Sequence, residues 1–286
     1  ITSCLVGSEM CIRDRKIFPE MSFLHCDYNP SFDGQAPEPI AKNLNPFSKF
    51  IKNNGEIAAG LATDGDADRI GLFDEKGDFV DSHHILLLLL LYLHKYKSMN
   101  GKVVVAASTT PRVVKLAEMW GLEHDTVQIG FKHIAQQMIN EDVLIGGEES
   151  GGIAIKGHIP ERDGIWMGLV IFEYMAKSGK SLTSLIKEIY ELVGEFKYWR
   201  DDLHINENLK QSIVESCQNN AFQSFGKYNV QNIDTTDGFK FILSDDEWLM
   251  IRPSGTEPVL RCYAEGKTIE NAKDILASCK QTIGVN

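Results

Sequence analysis

Nine residues, Ala62-Thr63-Asp64-Gly65-Asp66-Ala67-Asp68-Arg69-Ile70, limit what this chain can become more than any other stretch. Three carboxylates alternate with small residues, and apolar strand-like runs lead in at 57–61 and out at 70–73. Carboxylates this close repel one another unless a cation sits between them, and setting them between buried strands deepens the cost. Their hard oxygen donors suit Mg²⁺ or Ca²⁺ rather than Zn²⁺. Gly65 and Ala67 leave the backbone free to curl so that Asp64, Asp66 and Asp68 converge. Arg69 follows at once, a fork-shaped cation able to hold a phosphate beside the metal. An EF-hand loop opens with the same D-x-D-x-D, and Glu75 falls at its twelfth position. Its sixth position, however, needs Gly and holds Arg69, and the flanks read as strands rather than helices.

A length of 286 residues suggests two or three domains or parts of domains. The net charge of −11 argues against a nucleic-acid surface and an anionic membrane surface, although local cations still permit phosphate binding. Cys4, Cys11, Cys26, Cys217, Cys262 and Cys279 have no metal-ligand spacing, which reads as the reduced thiols of a cytoplasmic protein. The apolar run at 85–91 is too short to span a bilayer and reads as a buried helix. Residues 1–15 show neither period nor caps and do not form a signal peptide. They look like a translated sequencing-adapter remnant, a non-native terminus outside the fold, so the chain is expected to start inside a longer protein.

Turn signals fill 16–56, with a short helix expected within 40–54. After the acidic hairpin, Gly77-Asp78 turns the chain, and Ser82 is the expected cap of a helix over 85–96. From 100 onward strands at 103–107, 123–128 and 142–145 alternate with helices at 112–120 and 130–140, a βαβ pattern that predicts a parallel sheet. Helices over 164–177 and 181–193 follow. From about 196 the pattern changes to a helix over 208–219, short strands at 228–233, 239–243, 248–252 and 259–265, and a last helix over 269–283. That predicts a small α+β domain, an antiparallel sheet with helices on one face.

Two further loops carry candidate chemistry. Gly146-Gly147-Glu148-Glu149-Ser150-Gly151-Gly152 offers backbone N–H groups, and Glu148 and Ser150, two apart, can bond vicinal sugar hydroxyls. Arg252-Pro253-Ser254-Gly255-Thr256-Glu257-Pro258 joins a bidentate donor, two hydroxyls and a glycine that permits an anion-binding nest of N–H groups. Arg261 adds a second cation if the next strand turns it inward. Lys132 sits at a strand-to-helix junction, where open α/β sheets place ligands and a helix N-terminus favours an anion. His83, His84, His158 and Arg162 receive no role.

The order of these three loops resembles the α-D-phosphohexomutases, the phosphoglucomutase/phosphomannomutase superfamily, from about Lys16 to the C-terminus. The resemblance implies α/β/α sandwich domains with mixed or parallel sheets, then a small α+β domain. It divides the chain into the later part of the second family domain (16–99), the third (100–195) and the fourth (196–286). It implies Mg²⁺ on Asp64, Asp66 and Asp68, sugar hydroxyls on Glu148 and Ser150, and the unreacting phosphate on Arg252, Ser254, Gly255 and Thr256, with Arg261 beside them. Arg69 and Lys132 would act near the transferring group. The implied reaction interconverts hexose 1-phosphate and hexose 6-phosphate through a phosphoserine and a hexose 1,6-bisphosphate, which also serves as activator. Glucose, mannose and glucosamine phosphates are all admitted. The family's phosphoserine lies in a Ser-His-Asn-Pro loop, and this sequence has none; its Asn29-Pro30 follows Tyr28. The chain by itself is therefore expected to bind Mg²⁺ and phosphosugar weakly and turn nothing over. The alternatives are a stand-alone sugar-phosphate binding module and a Ca²⁺-binding structural domain.

Overall fold

The computed structural model describes residues 3–5, 21–25, 29–34, 36–254 and 258–285. They form two compact units, one from 1–126 with 130–193, the other from 127–129 with 194–286.

In the first unit, β1 (Ser3–Leu5) pairs in parallel with β2 (Ser22–Leu24), so three residues of the stretch expected to stand outside the fold adopt strand geometry. The rest of 1–15 lies outside the described residues. Helix α1 (Asn45–Asn53) begins with Pro46 in its first turn, where the missing N–H costs nothing. It buries Phe47 and Ile51 against the sheet formed by β3 (Gly60–Thr63), β4 (Ile70–Phe73) and β5 (Phe79–Val80). Strands β3 and β4 pair antiparallel from Gly60↔Phe73 to Thr63↔Ile70, so the acidic loop is the tip of a buried hairpin.

Helix α2 (Ser82–Leu91) is buried on every side, as an all-apolar run predicts. It packs against β4 and against β8 (Val143–Gly147), α3 (Arg112–Met119), α5 (Gly164–Ser178) and α6 (Leu182–Val193), and so joins the hairpin to the rest of the unit. Its cap is Asp81, which accepts from the His84 N–H at 3.0 Å; Ser82, the expected cap, is already helical and donates to the Glu149 carbonyl. The expected α-helix to residue 96 gives way at Tyr92–Tyr96 to a π turn, with Lys97 N–H reaching back to the Tyr92 carbonyl. The second sheet follows the order β7 (His124–Val127), β6 (Lys102–Ala106), β8 (Val143–Gly147), β9 (Ile153–Ile155). Strands β6 and β8 are parallel, while β9, unforeseen in the sequence, pairs antiparallel with β8. Helices α3 (Arg112–Met119), α4 (Phe131–Asn140), α5 (Gly164–Ser178) and α6 (Leu182–Val193) complete the unit.

The second unit has a five-stranded antiparallel sheet in the order β10 (Lys197–His204), β16 (Val259–Gly266), β15 (Glu247–Pro253), β14 (Phe239–Ser244), β13 (Asn232–Asp234), with a small hairpin of β11 (Ser224–Phe225) and β12 (Tyr228–Asn229). Helices α7 (Glu207–Gln218) and α8 (Ile269–Thr282) bury Ile213, Cys217, Ile275, Leu276 and Cys279 against Leu249, Ile251, Leu260, Cys262 and Ala264 on one face of that sheet. Arg252 and Arg261 alternate with these residues and therefore belong to the opposite face. No helix among the described residues is long and apolar enough to cross a membrane.

Candidate functional site

The acidic loop turns through Ala67, whose φ of 62° lies in the left-handed region, and not through Gly65. Ala67 N–H bonds the Asp64 carbonyl at 3.3 Å and closes the turn. The result brings one oxygen each from Asp64, Asp66 and Asp68 within 4.8 Å of one another. Asp64 is buried, Asp66 is exposed and Asp68 is intermediate. Burial, opposed by the Arg162 cation and reinforced by Asp64 and Asp66, pushes the Asp68 carboxyl up to about 6. An oxygen-only donor set whose charges repel fits Mg²⁺ or Ca²⁺. The strand-flanked geometry excludes an EF-hand: Glu75, the would-be twelfth ligand, accepts the Thr183 N–H at 3.4 Å near the start of α6.

Arg69 braces this loop. Its backbone N–H bonds Asp64 Oδ1 at 3.1 Å, its Nε bonds Asp64 Oδ2 at 2.5 Å, and its Nη1 lies 3.4 Å from Glu38 Oε1. The expected phosphate-holding cation thus has its Nε committed to a carboxylate.

In the second loop the glycines do different work from that expected. Gly146 and Gly147 belong to β8, and a Cβ there would collide with Ile134 of α4 and with Leu86 of α2 respectively. They permit close packing rather than a supple loop. Gly151, with φ 95°, needs its left-handed backbone, and a Cβ on it would meet the Ile70 carbonyl oxygen at 2.6 Å. Bonds from Glu148 N–H to the Gly152 carbonyl (3.0 Å) and from Gly151 N–H to the Glu148 carbonyl (3.2 Å) make a tight turn with Ser150 at its tip. Glu148 is buried; its Oε1 accepts the Gly130 N–H at 2.8 Å, and burial together with the Glu149 charge raises its pKa. That bond ties Glu148 to the start of α4, where Lys132 stands exposed in the first turn. Glu149 anchors the turn from below, its carboxylate accepting the Ser108 hydroxyl and its carbonyl the Ser82 hydroxyl.

These two loops are stitched together. Ile70 N–H bonds the Gly151 carbonyl at 3.2 Å, Arg69 and Gly152 form a β-bridge, and Gly164 N–H bonds the Ala67 carbonyl at 2.9 Å. Arg162 then spans them: Nη2 lies 2.5 Å from Asp68 Oδ2, Nη1 lies 3.8 Å from Glu148 Oε2, and the guanidinium sits 5.7 Å from the Phe131 ring centroid. Its side chain crosses directly over Gly152, where any Cβ would strike it. Sequence reasoning passed over Arg162. The available signal was a cation shortly after the glycine-rich turn in a strongly acidic chain, which is weak without the fold. His158, by contrast, pairs with Asp163 at 2.7 Å and stacks on Trp166, a local support for the start of α5.

In the second unit, β15 and β16 place Arg252 directly across from Arg261, and Asp202 on β10 is across from Arg261 in turn. Like charges facing each other across a ladder are destabilising without an anion near them. Asp237 bonds Arg252 Nε at 2.9 Å, and Arg200 holds Asp202 through Nε at 2.8 Å and Nη2 at 2.6 Å. Ser254, buried, follows the end of β15 and donates its N–H to the Val259 carbonyl at 2.9 Å. Gly255 and Thr256 lie outside the described residues.

In the first unit a hairpin of clustered carboxylates is sewn to a Glu-bearing turn, and in the second a sheet sets two arginines opposite each other, all on an α/β framework. Family models for phosphoglucomutase/phosphomannomutase match in sequence: α/β/α domain II over 15–77, α/β/α domain III over 81–193 and the C-terminal domain over 207–280. The chain belongs to the α-D-phosphohexomutase superfamily. It is 31% identical over 245 residues to a phosphoglucomutase/phosphomannomutase of Thermococcus kodakarensis, covering 86% of this chain and 51% of that protein. It is 31% identical over 249 residues to a phosphoglucosamine mutase of Methanocaldococcus jannaschii, covering 86% of this chain and 53% of that protein. The crystal structure of a candidate phosphomannomutase from Thermus thermophilus superposes with a TM-score of 0.81 at 28% identity, covering 99% of this chain and 61% of that one. The chain thus spans about half the length of these curated relatives.

Proposed function

We propose that this chain supplies the metal-, sugar- and phosphate-binding loops of a phosphohexomutase that interconverts hexose 1-phosphate and hexose 6-phosphate. The observation that carries the reading is the joining of the Asp64/Asp66/Asp68 loop to the Glu148 turn by backbone bonds and by Arg162. Mg²⁺ held by Asp64, Asp66 and Asp68 would neutralise charge on the transferring phosphoryl group. Glu148, already accepting one N–H, has a second oxygen for a sugar hydroxyl, and Ser150 lies in the same turn. Arg252, Ser254, Gly255 and Thr256, with Arg261 opposite, take the unreacting phosphate and so position the reacting hydroxyl. Lys132, at the head of α4, offers a cation to the transferring group, while Arg69 supports the metal loop. The three domains we read are 16–99, 100–195 and 196–286.

The sequence contains no Ser-His-Asn-Pro loop to carry a phosphoserine, so these residues alone do not complete a turnover. The buried free thiols of Cys217, Cys262 and Cys279 support a reducing, cytoplasmic setting. The test is calorimetry of the purified chain with Mg²⁺ and glucose 6-phosphate, glucose 1-phosphate or glucose, beside a coupled mutase assay. We expect saturable binding of both esters, none of the free sugar, and no turnover. Equal binding of the free sugar, or of nothing, overturns the reading of the loops. Turnover by the chain alone overturns the inactivity.

A further inference from the structure

Asp237 sits in the turn between β13 and β14, where the sequence suggests only an Asp-Gly reversal. Its two oxygens are both committed. Oδ1 accepts from Arg252 Nε at 2.9 Å, and Oδ2 accepts from the Ile129 N–H at 2.8 Å, within the same compact unit. The turn is held tightly against the strand it serves. Gly238 has φ 68°, and a Cβ on it would lie 2.9 Å from the Ile251 carbonyl oxygen and 3.2 Å from Arg252 Cβ. Asp234 accepts both the Thr236 N–H (2.9 Å) and the Thr236 hydroxyl (2.7 Å), which fixes the approach to Asp237. Asp237 is only 19% exposed in its side chain and Arg252 22%, so the pair is largely sheltered from solvent screening.

We infer that Asp237 is a positioning residue for phosphate recognition, acting through Arg252. A guanidinium is a planar fork, and holding it by Nε fixes the plane in which its two Nη groups lie, the edge that matches two phosphate oxygens. Arg252 also faces Arg261 across the ladder, and the carboxylate at its Nε offsets part of the repulsion between the two cations. The inference rests on the phosphosugar reading, and it deepens that reading by naming what aims the arginine.

Charge alone predicts the opposite of positioning. Asp237 is an anion beside an anion site, so by Coulomb's law its removal should tighten phosphate binding. If it positions Arg252, its removal weakens binding. The experiment measures glucose 6-phosphate affinity by calorimetry for the unaltered chain, R252A, D237A, D237N and D237E, with thermal melting of each. The ¹⁵N–¹H resonance of Arg252 Nε is followed in parallel. We expect D237A to weaken binding roughly tenfold or more, about the worth of one charge-assisted hydrogen bond. D237N, isosteric but with one acceptor for two N–H donors, should fall between, and D237E should recover part of the loss. The Nε resonance, followed below each variant's melting temperature where the fold is intact, should shift and exchange faster in D237A and D237N, and D237A should melt lowest because the Ile129 N–H also loses its acceptor. If the unaltered chain binds and R252A does not, but D237A or D237N binds as tightly as the unaltered chain or tighter, the inference is overturned and the phosphosugar reading stands. If the unaltered chain does not bind the ester, that reading falls and the inference with it.

Discussion

Replacing Asp66 with alanine is expected to abolish Mg²⁺-dependent stabilisation of the chain while leaving its metal-free melting temperature within about 2 °C. Asp66 is the exposed member of the carboxylate triplet, so its removal disturbs little packing. Asp64→Ala should behave differently. It strips Arg69 of bonds to both carboxylate oxygens and leaves a partly buried cation, at a cost of about 3 kcal/mol before any metal is added. The sign of the pH dependence follows from Asp68. Its pKa, raised from 3.8 to about 6, means the metal-free folded chain keeps a proton that the unfolded chain releases. Asp68 therefore costs the metal-free fold stability as pH rises from about 4 to about 6, and a bound cation offsets that cost. The Mg²⁺-induced rise in melting temperature should be small at pH 5, grow through pH 6 and level off above pH 7. Thermal melting with and without Mg²⁺ across that range checks all of this. A shift that is flat with pH, or that survives in Asp66→Ala, counts against the triplet as the metal site.

Arg162→Ala should push two affinities in opposite directions. The guanidinium lies against Asp68 and near Glu148, so it competes with a divalent cation for the first and steadies the second. Without it, Mg²⁺ binding above pH 7 should tighten by roughly tenfold, the equivalent of about one pKa unit of charge interaction. Hexose 6-phosphate binding should weaken by about 2 kcal/mol, roughly 30-fold, as the Glu148 turn loses its cation. Arg162→Lys keeps the charge but not the planar fork, and should restore the Mg²⁺ affinity more fully than the sugar affinity. Paired titrations measure both. If the two affinities fall together with the melting temperature, Arg162 is a brace and no more.

What the sequence showed depended on how local the physics was. The acidic triplet, its flanking strands and the all-apolar run that became α2 were legible because each is decided within about ten residues. The βαβ order was legible for the same reason. Strand β10 was missed because Lys197-Tyr198-Trp199-Arg200-Asp201-Asp202 is too charged to read as a strand; its pairing with β16 lies far along the chain. Strand β9 has three residues after a glycine-rich turn and offers no period to detect. Gly146 and Gly147 look like loop in the sequence, which does not show that Ile134 and Leu86 press on them. The partners of Arg162 and Asp237, namely Asp68 and Arg252, lie 94 and 15 residues away, so no local pattern in the sequence points to either contact. The cap moved from Ser82 to Asp81 because Ser82 is drawn to the Glu149 carbonyl across the unit.

The most direct test of the account is a crystal of the chain soaked with Mn²⁺, examined for anomalous scattering. Mn²⁺ favours the same oxygen donors as Mg²⁺ and can be located unambiguously. The account predicts one strong peak coordinated by an oxygen from each of Asp64, Asp66 and Asp68, with Arg162 drawn back from Asp68. A peak on Glu75, or one that omits any two of the three aspartates, would contradict it.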